Sequence, residues 1–216
     1  MGDELQSYVK KGTTTVGIVC KDGIILAADK RATLGGRIIS HKKVNKVVPI
    51  SKTMAITTAG TVSDIQLITK LVRAELMLLR IRLDREPSVK MVSNLLGAIV
   101  YQNIRKFSPI LGITGFLLGG VDESGFSLYE IGPDGSVLGH DNFITDGSGM
   151  MMAFGVLDTL YKPTLNLEQG KELAIKCILA ALERDTATGS GIDVFAITKD
   201  GVTEVYHKEL DVKSQF

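Results

Sequence analysis

The sequence predicts an α+β fold in which two antiparallel sheets lie between two layers of helices. Short β-branched and apolar runs are separated by turn sequences, and other stretches carry apolar residues at three- and four-residue spacing. These runs come in groups, in the order strands, two helices, strands, two helices, strands. Grouped elements indicate antiparallel sheets, because a parallel sheet alternates strand with helix. Each helix pair needs an apolar face to cover, and two stacked sheets provide two such faces.

The first group of strands begins after a polar N-terminal segment. The runs 13–20 (TTTVGIVC) and 24–29 (IILAAD) flank a Lys-Asp-Gly turn, so they predict a hairpin. We expect a loop over 30–36, short strands over 37–40 and 44–50, and a longer strand over 54–59.

Helical periodicity marks the next group. Apolar residues recur every three or four positions from Ile65 to Leu83, and Ser63 or Asp64 can cap the start of this helix. Pro87-Ser88 opens a second helical run that reaches about residue 107.

The second half of the chain repeats this order. Strands are expected over 113–121, over 126–131 and shortly after Gly135, followed by a helix over 150–161. Asn166 and Gln169 resemble a capping box for a helix that ends near residue 184. The runs 192–198 and 202–207 flank a Lys-Asp-Gly turn and predict a final hairpin.

Composition and charge fit one globular domain. The 216 residues are 44% hydrophobic and 23% charged, with a formal net charge of +1. Such a balance gives no field that would attract nucleic acid or a membrane surface. The N-terminus lacks the apolar core of a secretory signal, and no apolar run approaches the length of a membrane span. We therefore expect a soluble cytoplasmic protein.

Familiar catalytic and metal-binding motifs are missing from the sequence. It contains no Walker A sequence, no GxGxxG and no GxSxG. His41, His140 and His207 are far apart, so we expect no metal site and no cofactor. Cys20 and Cys177 lie in apolar stretches, which favours buried free thiols, although a disulfide between them stays open.

The junction of Gly12 with three consecutive threonines, 13–15, is the unusual feature of the chain. Taken alone it can simply begin a strand, because threonine favours strands. It is followed in order by a KDG turn, ILAADKRAT, a lysine near position 46, TTAG, a GSG before a helix, and RDTATGSGID. With these segments in register from Gly12 to about Thr198, the chain resembles the proteasome β-subunit family, in particular its archaeal kind.

The resemblance implies an N-terminal-nucleophile hydrolase fold of four layers, αββα, and a threonine-type endopeptidase. Residues 1–12 would be a propeptide that the protein removes itself, and residues 13–216 a single catalytic domain. In this family the α-amine of the first threonine serves as the base. A free α-amine has a pKa of about 7.7–8.0, close to working pH, but it exists only after the Gly12–Thr13 bond is cut.

Catalytic roles carry over from the family by position. Thr13 would be the nucleophile, Asp29 the catalytic acid and Lys46 the catalytic lysine, whose ammonium would lower the pKa of the threonine. The loop before Lys46 is one residue longer than usual, so Lys42 or Lys43 are alternative matches. The remaining roles fall on Gly60, whose N–H would stabilise the oxyanion, and on Ser148 and Asp185, the pair that would orient the α-amine and a water. Thr188 is the last catalytic position to carry over, and it retains a hydroxyl. Serine is usual in the family where Thr188 stands.

The family's substrate pocket would be lined by Ala32, Val48, Thr58 and Val62, with Thr58 near its floor. Because none of the four is charged, we expect cleavage after uncharged, apolar side chains.

The resemblance also implies partners and leaves alternatives. The partners would be other proteasome β-subunits, α-subunits, a regulatory ATPase acting through the α ring, and unfolded polypeptide substrates, with neither nucleic acid nor membrane. The alternatives are a non-catalytic structural β-subunit of the same ring, another N-terminal-nucleophile amidohydrolase, and a bacterial ATP-dependent relative. Individually, Asp29, Lys46 and Asp185 are also compatible with ordinary surface or strand-end roles; the catalytic interpretation rests on the set.

Overall fold

The computed structural model describes residues 12–34 and 38–210. Most of the predicted propeptide, residues 1–11, therefore lies outside the described residues, as do residues 35–36 of the predicted loop, residue 37 of the predicted strand that follows it, and residues 211–216. The strands are β1 (Thr15–Cys20), β2 (Gly23–Asp29), β3 (Ala32–Leu34), β4 (Ile38–His41), β5 (Val47–Pro49), β6 (Met54–Gly60), β7 (Thr114–Asp122), β8 (Gly125–Ile131), β9 (Val137–His140), β10 (Phe143–Asp146), β11 (Gly191–Thr198) and β12 (Gly201–Glu209). The helices are α1 (Val62–Leu83), α2 (Val89–Arg105), α3 (Met150–Leu160) and α4 (Leu167–Leu182).

The strands form two five-stranded antiparallel sheets and a small two-stranded one. The first sheet has the order β10-β1-β2-β11-β12, the second has the order β5-β6-β7-β8-β9, and β3 pairs with β4. Helices α3 and α4 pack on the outer face of the first sheet, whereas α1 and α2 pack on that of the second. A third apolar cluster fills the space between the sheets. This four-layer αββα arrangement confirms the predicted fold class.

Strand β2 shows how the sequence encodes these layers. Its side chains alternate, so that Ile25 and Ala27 pack against the helices while Ile24, Leu26 and Ala28 face the second sheet. All seven residues of the strand are buried. Residues 24–28 of the strand are therefore an unbroken apolar run, since both faces of the strand are covered.

Three local predictions differ from the structure. Strand β3 occupies part of the predicted loop, and β10 was not predicted because its partner is distant in sequence, with Thr15 opposite Asp146. Helix α1 begins at Val62 after Thr61, which makes no side-chain cap, so neither Ser63 nor Asp64 is the capping residue. The Asp64 carboxylate instead pairs with an ammonium from the end of α2. Tertiary contacts decided each case.

The capping box at Asn166 and Gln169 is confirmed, with both reciprocal hydrogen bonds formed. Cys20 and Cys177 are free thiols in one apolar cluster, as predicted, and the disulfide is not formed. Burial raises the pKa of each thiol to about 12, which keeps both protonated and unreactive. Among the helices of the described residues, none combines the length and hydropathy of a membrane-spanning segment.

Candidate active site

Thr13 lies where strands of both sheets begin or end. Thr13 precedes β1 in the first sheet and Asp29 ends β2 beside it, while Lys46 precedes β5 in the second sheet. Lys46 Nζ is 3.0 Å from Thr13 Oγ1 and 2.7 Å from Asp29 Oδ1. It also donates to the Gly12 carbonyl oxygen at 3.2 Å, and Thr13 Oγ1 donates to the same oxygen at 2.6 Å. The hydroxyl, an ammonium and a carboxylate thus converge on the Gly12–Thr13 peptide.

The Asp29 carboxylate is fully buried and fully hydrogen-bonded. Its Oδ1 accepts from Thr14 N–H at 3.0 Å as well as from Lys46, and its Oδ2 accepts from the N–H groups of Arg31 at 3.0 Å and Gly189 at 2.8 Å. Donors on both oxygens compensate for the loss of water around a buried carboxylate. The surrounding backbone therefore fixes Asp29, and Asp29 in turn fixes the ammonium.

Lys46 is only 4% exposed. Burial lowers the pKa of its ammonium, and the attraction of Asp29 opposes that shift. An ammonium with a lowered pKa beside a hydroxyl can stabilise negative charge developing on that oxygen, and it exchanges its proton more readily than an exposed lysine.

A second set of polar side chains lies near the backbone nitrogen of Thr13. Ser148, between β10 and α3, accepts from Thr13 N at 3.2 Å and donates to Asp185 Oδ2 at 2.5 Å. Thr188 Oγ1 donates to the same carboxylate oxygen at 2.6 Å and lies 2.7 Å from Thr14 Oγ1. Ser148 and Asp185, predicted to orient the α-amine, and Thr188, also predicted as catalytic, are thus brought together near the nitrogen of the predicted nucleophile.

Two glycines allow close backbone approaches around Thr13, Gly147 to Thr13 itself and Gly12 to Ala187. A Cβ on Gly147, whose φ is +101°, would lie 2.1 Å from the Thr13 carbonyl oxygen. A Cβ on Gly12 would lie 1.7 Å from Ala187 Cβ. No side chain fits at either position without displacing its neighbour.

The four predicted pocket residues line one cavity together with Thr13. The cavity has a volume of about 270 Å³, and its walls include Ala32, Val48, Thr58 and Val62. Gly60, predicted to stabilise the oxyanion, lies on the same wall at the end of β6 with φ +114°. The cavity also contains cationic side chains that the prediction did not include, those of Arg31, Lys46, Lys70 and Arg73.

The alternative lysines lie elsewhere. The Lys43 side chain is 65% exposed and pairs with Glu209 at 2.7 Å, and Lys42 is also exposed. Of the three lysines considered, Lys46 is the one that contacts Thr13.

Sequence reasoning missed a buried charge network behind the site. Lys30 Nζ is 2.6 Å from Asp193 Oδ2, and Asp193 Oδ1 is 2.7 Å from His207 Nδ1. The pairing of β11 with β12 places His207 opposite Asp193, and a register shift after Val194 brings Glu204 within 3.4 Å of His207. Asp193, Glu204 and His207 lie close enough together to hold a cation. The Lys30 ammonium, however, already supplies the positive charge that Asp193 requires. In the sequence, the only indication of this charge network is that Lys30 directly follows Asp29.

Comparison with known proteins places this geometry in a family. A family profile described as "Proteasome subunit" matches residues 9–197. The chain is 42% identical to a "Proteasome subunit beta" of Archaeoglobus profundus, with 96% of this chain and 94% of that protein covered. It is 45% identical to a "Proteasome subunit beta 1" of Thermococcus kodakarensis, covering 93% and 95% of the two chains. It is 40% identical to a "Proteasome subunit beta" of Methanothermobacter thermautotrophicus, covering 88% of each. The chain therefore belongs to the proteasome subunit family, as a β-subunit of the archaeal type.

Proposed function

We propose that this chain is a catalytic proteasome β-subunit, a threonine-type endopeptidase whose nucleophile is Thr13. The observation that carries the proposal is the contact of Lys46 Nζ with both Thr13 Oγ1, at 3.0 Å, and the buried Asp29, at 2.7 Å. A threonine hydroxyl is a weak nucleophile until neighbouring groups take up its proton or stabilise its anion. A buried lysine held by a carboxylate meets that need.

The same geometry supports self-cleavage of the Gly12–Thr13 bond. Thr13 Oγ1 would form a bond to the Gly12 carbonyl carbon, the C–N bond would break, and the Thr13 nitrogen would take the hydroxyl proton. Water would then hydrolyse the ester, which returns a proton to Oγ1 and leaves a carboxylate on Gly12. The 2.6 Å hydrogen bond between Thr13 Oγ1 and the Gly12 carbonyl oxygen supports this step, because it brings nucleophile and scissile group together.

The freed α-amine would act as the base in peptide cleavage. Ser148 already lies 3.2 Å from the Thr13 nitrogen and is held by Asp185, so the amine would be formed next to groups that orient it. It would accept the proton of Oγ1 as this oxygen attacks the substrate carbonyl, and later deliver that proton to the leaving amine. The N–H of Gly60 would stabilise the tetrahedral oxyanion.

The family implies assembly with other proteasome subunits. We further propose that residues 13–216 form the working domain in a ring of β-subunits between α-subunits, in the cytoplasm. A regulatory ATPase would supply unfolded polypeptides to it. Enclosure in rings suits an unselective protease, because folded proteins would be kept from the site.

The alternative within the family is a ring subunit without catalytic activity. Such a subunit has no need for the nucleophile, the lysine and the acid, yet the chain carries all three, and Lys46 contacts both Thr13 and Asp29. A different N-terminal-nucleophile amidohydrolase is disfavoured by the family match over most of the chain.

The intact mass of the subunit, measured after co-assembly with a proteasome α-subunit, tests the proposal. We expect a chain that begins at Thr13 and cleaves peptides, and a Thr13→Ala variant that stays full length and inactive. Peptide cleavage by a full-length chain would overturn the mechanism. A full-length, inactive wild-type chain in a complete assembly would establish the structural role instead.

A further inference from the structure

We propose that Lys30 is a positioning residue that acts through Asn45 and Asp193 to place Lys46 against Thr13. The inference rests on the proposed function, since it concerns how the catalytic lysine of that function is held. Lys30 does not contact Thr13 in any hydrogen bond of the described residues; it acts on the segment 44–46 that carries Lys46.

Lys30 connects three parts of the chain. Its ammonium donates to Asp193 Oδ2 on β11 at 2.6 Å and to Asn45 Oδ1 at 3.1 Å. Its own N–H donates to the Gly189 carbonyl at 3.0 Å, and its carbonyl accepts from Val44 N–H at 3.0 Å. With 2% of its surface exposed, Lys30 is anchored at both backbone and side chain, so the segment 44–46 is tied to the end of β2.

Asp29 and Lys30 hold opposite ends of the same short segment. Asp29 binds the ammonium of Lys46, whereas Lys30 binds the backbone of Val44 and the side chain of Asn45, the residue before Lys46. From the other side, the Lys46 carbonyl accepts from Thr58 N–H at 2.9 Å. Because the ammonium lies at the end of a flexible four-carbon chain, a shift of this backbone moves it relative to Thr13. A misplacement of about 1 Å costs on the order of 10²-fold in rate.

Stability alone does not account for this arrangement. The side chains of Lys30 and Asp193 are 3% and 5% exposed, and an ion pair this deeply buried loses much of its attraction to desolvation. Well-packed apolar replacements of such pairs are often equally stable. Asn45 is an exposed residue, yet its amide oxygen accepts from the buried ammonium. The ion pair therefore holds its donor in a fixed direction, toward the residue next to Lys46.

The first experiment uses Asn45 because this residue is exposed, so we expect its replacement to leave the fold intact. Asn45→Ala, Asn45→Asp and the control Asn94→Ala, at an exposed asparagine of α2, are each assembled with the α-subunit. In Asn45→Ala we expect kcat for a fluorogenic peptide to fall about tenfold, with KM within twofold and an unchanged Tm. Asn45→Asp, which keeps the acceptor oxygen, should recover most of the lost kcat.

The second experiment separates positioning from stability. Lys30→Met removes the buried partner of Asp193 Oδ2 and leaves only His207 at its other oxygen, so it should lower Tm, whereas Lys30→Met/Asp193→Leu should restore Tm but not kcat. Wild-type kcat in both Asn45→Ala and the double variant would overturn the inference. A rise of KM alone would do the same, because Asn45 also lines the cavity and would then act in binding. An inactive wild-type assembly would instead refute the proposed function, before any variant is compared.

Discussion

The Lys46 ammonium lies 3.0 Å from the Thr13 hydroxyl oxygen, although 33 positions separate the two residues and they precede strands of different sheets. Their distance is therefore set by how the two sheets pack. The cluster between the sheets includes Ala28, the neighbour of Asp29, and Val47, the neighbour of Lys46. Packing in that layer is thus coupled directly to the geometry of the site, because a change of sheet spacing would separate Thr13 from Lys46.

Removal of the Lys46 ammonium tests its assignment against the neighbouring lysines. We expect Lys46→Ala to lower peptide hydrolysis by about 10²–10⁴-fold and to block self-cleavage, since no other ammonium donates to Thr13 Oγ1 among the described residues. Lys43→Ala, which removes an exposed ion pair with Glu209, should retain activity. Rates and intact masses of the two variants should be compared in the same assembly. Activity lost in Lys43→Ala and kept in Lys46→Ala would reverse the assignment.

The dependence of kcat on pH should be bell-shaped. The rate should rise as the freed α-amine loses its proton near its ordinary pKa of about 7.7–8.0. It should fall again below pH 10.5, because burial lowers the pKa of Lys46 from that value and the ammonium is then lost earlier. Between the lowered pKa and 10.5 the unfolded chain binds more protons than the folded chain. The titration of Lys46 therefore makes the free energy of unfolding rise with pH in that window, while activity falls.

Single-turnover rates at several pH values, together with unfolding at the same pH values, check this prediction. A rate that keeps rising to pH 10.5 in a folded assembly would contradict a role for the ammonium. It would indicate that neutral Lys46 takes the proton of Thr13 itself.

Much of this site was predictable from sequence, and the reasons differ by residue. The roles of Thr13, Asp29 and Ser148 could be assigned because the segments that carry them resemble a known family in the same order, whereas each residue taken alone fits an ordinary strand or turn. Strand β10 and the ion pair of Lys30 with Asp193 could not be predicted from the sequence, because their partners are distant in sequence and no local pattern encodes them. The choice of Lys46 over Lys42 and Lys43 needed the strand that follows it. The contact with Thr13 agrees with that choice, and activity measurements remain the test of its role.

The glycine before the predicted cleavage site should be needed for processing. A Cβ on Gly12 would lie 1.7 Å from Ala187 Cβ, so in Gly12→Ala residue 12 or the segment at Ala187 must shift, and we expect this shift to disturb the contacts of the scissile carbonyl with Thr13 Oγ1 and Lys46. We expect the rate of self-cleavage to fall by at least about tenfold, as followed by mass spectrometry during assembly. Once cut, the variant should have normal kcat, because residue 12 has left.

Gly12→Ala/Ala187→Gly is the matched control for the steric argument. It should recover processing only in part, since the added Cβ would also lie 2.6 Å from the Cα of residue 187. Normal processing of Gly12→Ala alone would show that the chain relaxes at this contact without cost.

The cleavage preference should follow the apolar part of the cavity. Ala32, Val48 and Val62 line the wall beside Thr13, so we expect peptides with an apolar residue before the cut to be hydrolysed fastest. Arg73 and Lys70 also line the cavity, so a preference for acidic residues before the cut is the main alternative to the apolar preference. A fluorogenic peptide panel at low and high salt distinguishes the two. Faster cleavage after acidic residues, weakened by salt, would contradict the apolar preference.

Thr188 offers the most selective test of the group at the Thr13 nitrogen. Its hydroxyl donates to Asp185 Oδ2 at 2.6 Å and lies 2.7 Å from Thr14 Oγ1, and the residue is 1% exposed. Thr188→Val keeps the shape but removes the hydroxyl, which leaves buried polar atoms short of a partner at a cost of about 1–3 kcal/mol. We expect a lower Tm and a kcat reduced about 10–100-fold, because Asp185 would hold Ser148 less firmly against the α-amine. Thr188→Ser keeps the donor and loses only a methyl group, so its kcat should stay within about threefold of wild type and its Tm should fall by less. A loss in Thr188→Ser as large as that in Thr188→Val would show that the methyl contact matters as much as the hydroxyl, and wild-type kcat in Thr188→Val would show that the hydroxyl has no role in catalysis.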